Sequence, residues 1–216
     1  MKEWEDEVHV GDYPYNPKLP LYAAVDFGYT NDWVWLLIQE DPYNHRVYVI
    51  KEQRFRQRDT HDIASNTLIH DPLLEKINAI YVDPGDPGGA STLRRVLKIQ
   101  TRNNTGGELG GDGGRLDLIR SGLKMHPAHL PDGHPEKFPG LVVDRSCTTL
   151  IWEMREGYRW PENRSDAKNN SEIPQDVDNH GPEALGRFYK GHMEPFSKTA
   201  NHSRQSSIAT QRGRAA

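Results

Sequence analysis

Two stretches of the chain are apolar at consecutive positions, and each runs into an aspartate. Leu21-Tyr22-Ala23-Ala24-Val25 leads into Asp26, and Ala79-Ile80-Tyr81-Val82 leads into Asp83. Unbroken apolar runs predict strands covered on both faces, so a carboxylate at the exit of each sits at the mouth of a packed core. Asp32 to Glu40 and Arg46 to Glu52 are two further β-rich runs joined by Asp41-Pro42-Tyr43-Asn44-His45, which predicts a hairpin.

Helical spacing follows. Asp59 is placed to cap a stretch carrying Ile63, Leu68 and Ile69, interrupted at Pro72 and finished by Leu73, Leu74 and Ile77. Ser91 to Gln100 predicts a helix capped by Ser91, with Leu93, Val96 and Leu97 on one face. Gly106, Gly107, Gly110, Gly111, Gly113 and Gly114 exclude an ordinary helix or strand and suggest a mobile flap. Arg115 to Leu123 is again helical, and His126 to Gly140 is irregular. A short strand Leu141-Val142-Val143, a helix from Cys147 to Glu156 and an edge strand at Tyr158-Arg159-Trp160 come next. Residues 161 to 177 are polar and loop-like. Asn179-His180-Gly181-Pro182-Glu183 opens a last helix, with Pro182 suited to its first turn. Pro14, Pro17 and Pro20 give residues 1 to 20 the look of a linker, and 193 to 216 that of a disordered basic tail. The domain proper is expected over 21 to 192. An antiparallel three-stranded start, then alternating helix and strand, is the order of a ribonuclease H-like mixed α/β sheet flanked by helices.

The 216 residues suffice for one domain with a substantial core. Hydrophobic content is 35% and mean hydropathy −0.83, so polar loops take a large share, while five Trp, nine Tyr and five Phe argue against wholesale disorder. The single Cys147 excludes an intrachain disulfide and suits a reducing cytoplasm; its amphipathic setting predicts a buried thiol. No apolar run approaches the roughly 20 residues of a membrane span, and the acidic start is unlike a signal peptide, so a soluble protein is expected. Net charge is −4, which does not advertise nucleic-acid affinity. Local basic groups do: Arg94, Arg95, Lys98, Arg102, Arg115, Arg120 and Lys124 are candidate DNA contacts or else solvated helix faces.

If the Asp83 strand lies beside the Asp26 strand, the two carboxylates are neighbours and need a cation to relieve their repulsion. A third carboxylate is available from the last helix, where His180 and Glu183 share a face; Asp178 and Asp176 lie close by. Oxygen donors without thiolates suit magnesium or manganese rather than zinc, and the loop cluster His126, His129 and His134 lacks a matching ligand set. Two such ions about 4 Å apart would activate water and stabilise a leaving oxygen in phosphodiester hydrolysis.

Val25-Asp26-Phe27-Gly28-Tyr29-Thr30-Asn31-Asp32, Tyr81-Val82-Asp83-Pro84, the Cys147 to Trp160 segment and Asp178-Asn179-His180-Gly181-Pro182-Glu183-Ala184-Leu185, in that order, resemble the C-terminal nuclease domain of tailed-phage large terminases. The resemblance implies a metal-dependent endonuclease on a ribonuclease H-like fold that cuts concatemeric double-stranded viral DNA. Asp26, Asp83 and Glu183 would be catalytic, and Asp26, Asp83, Asp178, His180 and Glu183 would ligate two magnesium or manganese ions. It also implies an ATPase motor, a small terminase subunit and a portal protein as partners, and action in the host cytoplasm at the procapsid portal. The chain departs from the family's Asp-His-x-x-Asp-Ala motif at Asn179 and Glu183, which leaves open whether Asp178 or Glu183 is the main third carboxylate. It also lacks a Gly-x-x-x-x-Gly-Lys-Ser/Thr loop for ATP. Other readings share these residues: a non-catalytic module docking DNA or a portal, a Holliday-junction resolvase, an actin-like phosphate-binding loop, or two aspartates that only cap turns.

Overall fold

A computed structural model describes residues 1–103, 114–127, 137–157 and 179–193. The N-terminal arm holds a short helix α1 (Asp6–His9) and strand β1 (Val10–Gly11). Then come β2 (Leu21–Asp26), β3 (Trp33–Asp41) and β4 (Arg46–Phe55), an antiparallel meander. Helix α2 (Thr60–Asn66), two 3₁₀ turns at Leu68–His70 and Leu74–Lys76, β5 (Ile77–Tyr81), α3 (Pro87–Leu97) and β6 (Thr101–Arg102) follow. After them lie α4 (Arg115–Leu123), β7 (Met125–Pro127), β8 (Lys137–Pro139), β9 (Leu141–Asp144), α5 (Thr148–Trp152) and α6 (His180–Phe188). The last two helices continue as π-helical turns at Glu153–Gly157 and Tyr189–Met193.

Among the described residues the main sheet has the order β1-β9-β4-β3-β2-β5-β6, with β7 and β8 as a separate antiparallel pair. β5 runs parallel to β2, and β9 parallel to β4, so the meander is flanked on both sides by parallel strands. Along β3 successive side chains enter opposite cores. Val34, Leu36 and Ile38 pack on one face with Leu150, Leu185 and Phe188, while Trp33, Trp35 and Leu37 pack on the other with Ile63, Leu68 and Leu93. Helices α5 and α6 therefore cover one face and α2 and α3 the other, which is why β3 shows no apolar/polar alternation. This is a mixed α/β sheet of the ribonuclease H-like kind, as its element order predicts. No helix among the described residues is long and apolar enough to cross a membrane.

Several boundaries differ from expectation. α3 begins at Pro87, not Ser91: Asp86 accepts a bond from Gly89 N at 2.8 Å and Pro87 occupies the first turn, so the Asp-Pro pair starts the helix earlier than a Ser91 cap would. The arm 1–20 is not a free linker. β1 pairs with β9, His9 Nε2 bonds Leu123 O at 3.0 Å, and the side chain of buried Gln39 bonds the backbone of Asn16 and Leu19. The expected irregular stretch 126–140 contains the β7–β8 pair at its two ends. The expected flap over 106–114 (apart from Gly114), His129 and His134, the edge strand at 158–160, the loop 161–177, Asp178 and the expected tail over 193–216 (apart from Met193) lie outside the described residues.

Candidate active site

Parallel pairing of β2 and β5 builds the site. Ala24 is opposite Tyr81, so Asp26 and Asp83, each two residues further on, emerge side by side at the same end of neighbouring strands. Adjacent strands are about 4.8 Å apart. The loop after Asp26 is drawn tight. A Cβ on Gly28 would stand 2.6 Å from Asp32 O and 2.8 Å from Asn31 O, so only glycine lets the chain pass there. Asp83 closes its own turn, with Oδ1 accepting from Gly85 N at 2.9 Å, and leaves Oδ2 facing α6.

Helix α6 brings the remaining groups. His180 Nδ1 donates to Asp26 Oδ2 at 3.0 Å; this hydrogen bond raises the imidazole pKa, and partial burial only partly opposes it. Arg187 Nη2 donates to Asp83 Oδ2 at 2.7 Å and lies 3.8 Å from Glu183 Oε2, one turn earlier on the same helix. Arg115, from α4, donates through Nη2 to Glu183 Oε2 at 2.7 Å. Burial pushes the Glu183 carboxyl pKa up, while Arg115 and Arg187 pull it down and Asp26 adds to the rise. Arg187 thus bridges Asp83 and Glu183, Arg115 is a second cation on Glu183, and His180, three residues before Glu183 on the same helix, holds Asp26.

A supporting network locks the first turn of α6. Glu153 Oε2 accepts from Gly181 N at 3.0 Å, and both Glu153 oxygens take Arg54 at 2.8 and 2.6 Å. Arg54 from β4 also reaches Asp32 at 3.1 Å and Glu52 at 3.3 Å. Burial opposes the Arg54 charge, but the bonds to Glu153 outweigh it and hold the guanidinium firmly protonated. Gly181 is required here, because a Cβ would sit 2.4 Å from Glu153 Oε2 and 2.7 Å from Arg54 Nη2.

Of the expected residues, Asp26 is bonded to His180, and Asp83 and Glu183 are joined through Arg187; Asp178 lies outside the described residues. Arg115, read as a DNA contact, is buried against Glu183 instead, because α4 packs on α6. Arg94, Arg95 and Lys98 are exposed at the last turn of α3, which runs back from the Asp83 end of the sheet over about 16 Å at 1.5 Å per residue. Arg102 lies over the Tyr81 ring at 5.8 Å, Arg120 pairs with Glu3 and Asp117, and Lys124 is exposed. Cys147 is fully buried, its thiol pKa pushed up chiefly by burial. Sequence reading missed Arg187, although its spacing from Glu183 is that of a helical ion pair, and missed Glu153, whose partners come from distant segments.

Oxygen donors on carboxylates at the end of a packed sheet match the chemistry of a hard divalent ion. In their present spacing, however, no three His, Cys, Asp or Glu side chains among the described residues close into a group able to hold a metal. Arg187 and Arg115 stand against the carboxylate oxygens an ion would take.

No family model and no curated protein matches the sequence. Solved structures do. The large terminase of the thermophilic bacteriophage D6E superposes with a TM-score of 0.65 at 19% identity over 88% of this chain and 44% of that one. The P22 large terminase nuclease domain gives 0.58 at 13% identity, covering 87% and 89%. The large terminase nuclease of thermophilic phage G20c, with bound cobalt, gives 0.54 at 13%, covering 85% and 93%. The chain spans less than half the length of the D6E protein but nearly all of the isolated nuclease domains. Its architecture is therefore the ribonuclease H-like fold of large-terminase nuclease domains.

Proposed function

We propose that this chain is the nuclease part of a phage DNA-packaging terminase large subunit, a metal-dependent endodeoxyribonuclease that hydrolyses phosphodiester bonds of concatemeric double-stranded viral DNA. The observation that supports the reading is that one helix, α6, reaches both strand-end aspartates, His180 bonding Asp26 of β2 and Arg187 bonding Asp83 after β5, with Glu183 between them on the same helix. The cobalt bound to the G20c nuclease supports use of a divalent ion. Asp26, Asp83 and Glu183 would hold two magnesium or manganese ions, with His180 beside Asp26 and Asp178 a further donor. Bound there, the ions would supply Lewis-acid activation of water and stabilise the departing oxygen. The chain's own part is to fix its carboxylates: His180 orients Asp26, the Gly85 amide orients Asp83, and Glu153 fixes the turn that carries His180.

Because the D6E protein is more than twice the matched length, an ATPase motor in the same or another polypeptide is the natural partner. A small terminase subunit and a portal protein would bring the DNA, in the host cytoplasm at the procapsid. With a net charge of −4 the chain itself contributes little non-specific attraction to phosphates. The test is nicking of supercoiled plasmid by the 216-residue chain in manganese, in magnesium and in chelator. Asp26→Asn and Asp83→Asn are expected to remove cutting while the far-UV dichroism stays that of the parent. Full cutting by either folded variant, or cutting in chelator, contradicts the reading.

A further inference from the structure

The carboxylate pocket is already supplied with cations. Three carboxylates face two guanidiniums, and both arginines are buried, with side chains 8% and 9% exposed for Arg187 and Arg115. Asp83 is the open member, its side chain 31% exposed. A divalent ion arriving from solvent therefore meets Asp83 on its outer side while Arg187 holds Oδ2 from within. A dication and a guanidinium on the same carboxylate repel strongly in a partly dry pocket. Either the arginine withdraws or the ion binds weakly.

We propose that Arg187 is a cation built into the protein that competes with a divalent ion for Asp83 and Glu183, and so sets how readily the pocket takes metal. The proposal rests on the functional reading above. It explains why carboxylates that converge do not close into a metal cage: the guanidinium stands 2.7 Å from Asp83 and 3.8 Å from Glu183, spanning the gap an ion would close. Arg115 holds Glu183 from the opposite helix, so that Glu183 remains neutralised after Arg187 has moved. Binding of metal then leaves a guanidinium released beside the pocket, facing whatever anion enters next.

The experiment is manganese binding by calorimetry to the parent chain, Arg187→Gln and Arg187→Lys, with no DNA present. Arg187→Gln is expected to bind manganese about tenfold more tightly and to melt at lower temperature without metal, because Asp83 loses its guanidinium and Glu183 one of its two. Arg187→Lys is expected to return the affinity toward that of the parent. Equal or weaker manganese binding by folded Arg187→Gln overturns the competition but leaves the nuclease reading standing, whereas no binding by any of the three overturns both. A purely structural arginine would lower the melting temperature without tightening the metal. Should Arg187→Gln fail to fold, the parent chain still decides: the side-chain Nε–H resonance of Arg187 shifts on magnesium titration if the guanidinium is displaced, and stays fixed if the proposal is wrong.

Discussion

The site turns on single residues whose size matters more than their polarity. Gly181 sits in the first turn of α6, between the residues at 180 and 183 that face the pocket, and its missing side chain leaves room for Glu153 and Arg54. Adding one methyl group would place carbon 2.4 Å from Glu153 Oε2, 2.7 Å from Arg54 Nη2 and 2.9 Å from Leu150 Cδ1. None of these is a free surface group: Glu153 is 2% exposed and Leu150 fully buried. Gly181→Ala is therefore expected to cost about 1–3 kcal/mol, the range for overpacking a filled interior. It should also move His180 off Asp26. Chemical denaturation gives the first, and loss of plasmid nicking in a variant that remains folded gives the second; unchanged values for both would mean that the turn relaxes freely.

At the scale of elements, the placing of α6 depends on a carboxylate that caps it from outside its own sequence. Asn179 makes no side-chain cap bond, and the Gly181 amide is satisfied by Glu153, which the π-helical turn after α5 carries inward. Glu153→Ala removes that acceptor and one side of the Arg54 pair together. Breaking a buried pair costs about 3–5 kcal/mol, and because Asp32 and Glu52 still hold Arg54, a loss of about 3 kcal/mol is expected in urea denaturation, with activity falling alongside. This dependence marks the boundary of what sequence makes legible. β2, β5 and their aspartates are readable because an apolar run ending in a charge is a local pattern, and α6 is readable from Pro182 and the apolar face behind it. The start of α3 is misread because Ser91 is a good cap in its own right, whereas Asp86 and Pro87, five and four residues earlier, carry the helix-starting chemistry. The arm 1–20 is misread because prolines dominate its composition, while its attachment runs through backbone groups of Asn16 and Leu19 that no side-chain pattern reveals. Arg115, Arg187 and Arg54 look alike in sequence; only the tertiary neighbours separate a solvated cation from one buried among carboxylates.

Across the whole molecule, α6 and its π-helical extension span the sheet from the carboxylate pocket to a second polar cluster at the opposite end. There His192 Nε2 lies 2.6 Å from Glu40 Oε2, the Tyr81 hydroxyl 2.6 Å from His192 Nδ1, and His45 Nδ1 2.8 Å from Glu40 Oε1. Glu40 is 4% exposed, and an ionised carboxylate at that depth is tolerable only with such partners. Burial alone would raise its pKa, but the hydrogen bonds and charges of His192 and His45 outweigh burial and hold it below the usual glutamate value. A carboxylate whose pKa is depressed by folding stabilises the native state above its unfolded pKa, about 4.3, and loses that contribution as pH falls through the lower folded value. Glu40→Gln, which keeps shape but not charge, is accordingly expected to lower stability at pH 7 by about 1.5–3 kcal/mol, the range for hydrogen bonds to charged groups. The deficit should shrink once the pH drops below about 4, where the parent loses the same charge. Because the cluster holds the far end of the helix that carries His180 and Glu183, the variant should also cut DNA less well at pH 7 although it lies at the other end of the sheet from the pocket. Denaturation curves of parent and variant from pH 3 to 8, read beside nicking at pH 7, separate the two effects. A deficit independent of pH would assign Glu40 a packing role alone, and undiminished nicking would show that the N-terminal turn of α6 keeps its place without its distal anchor.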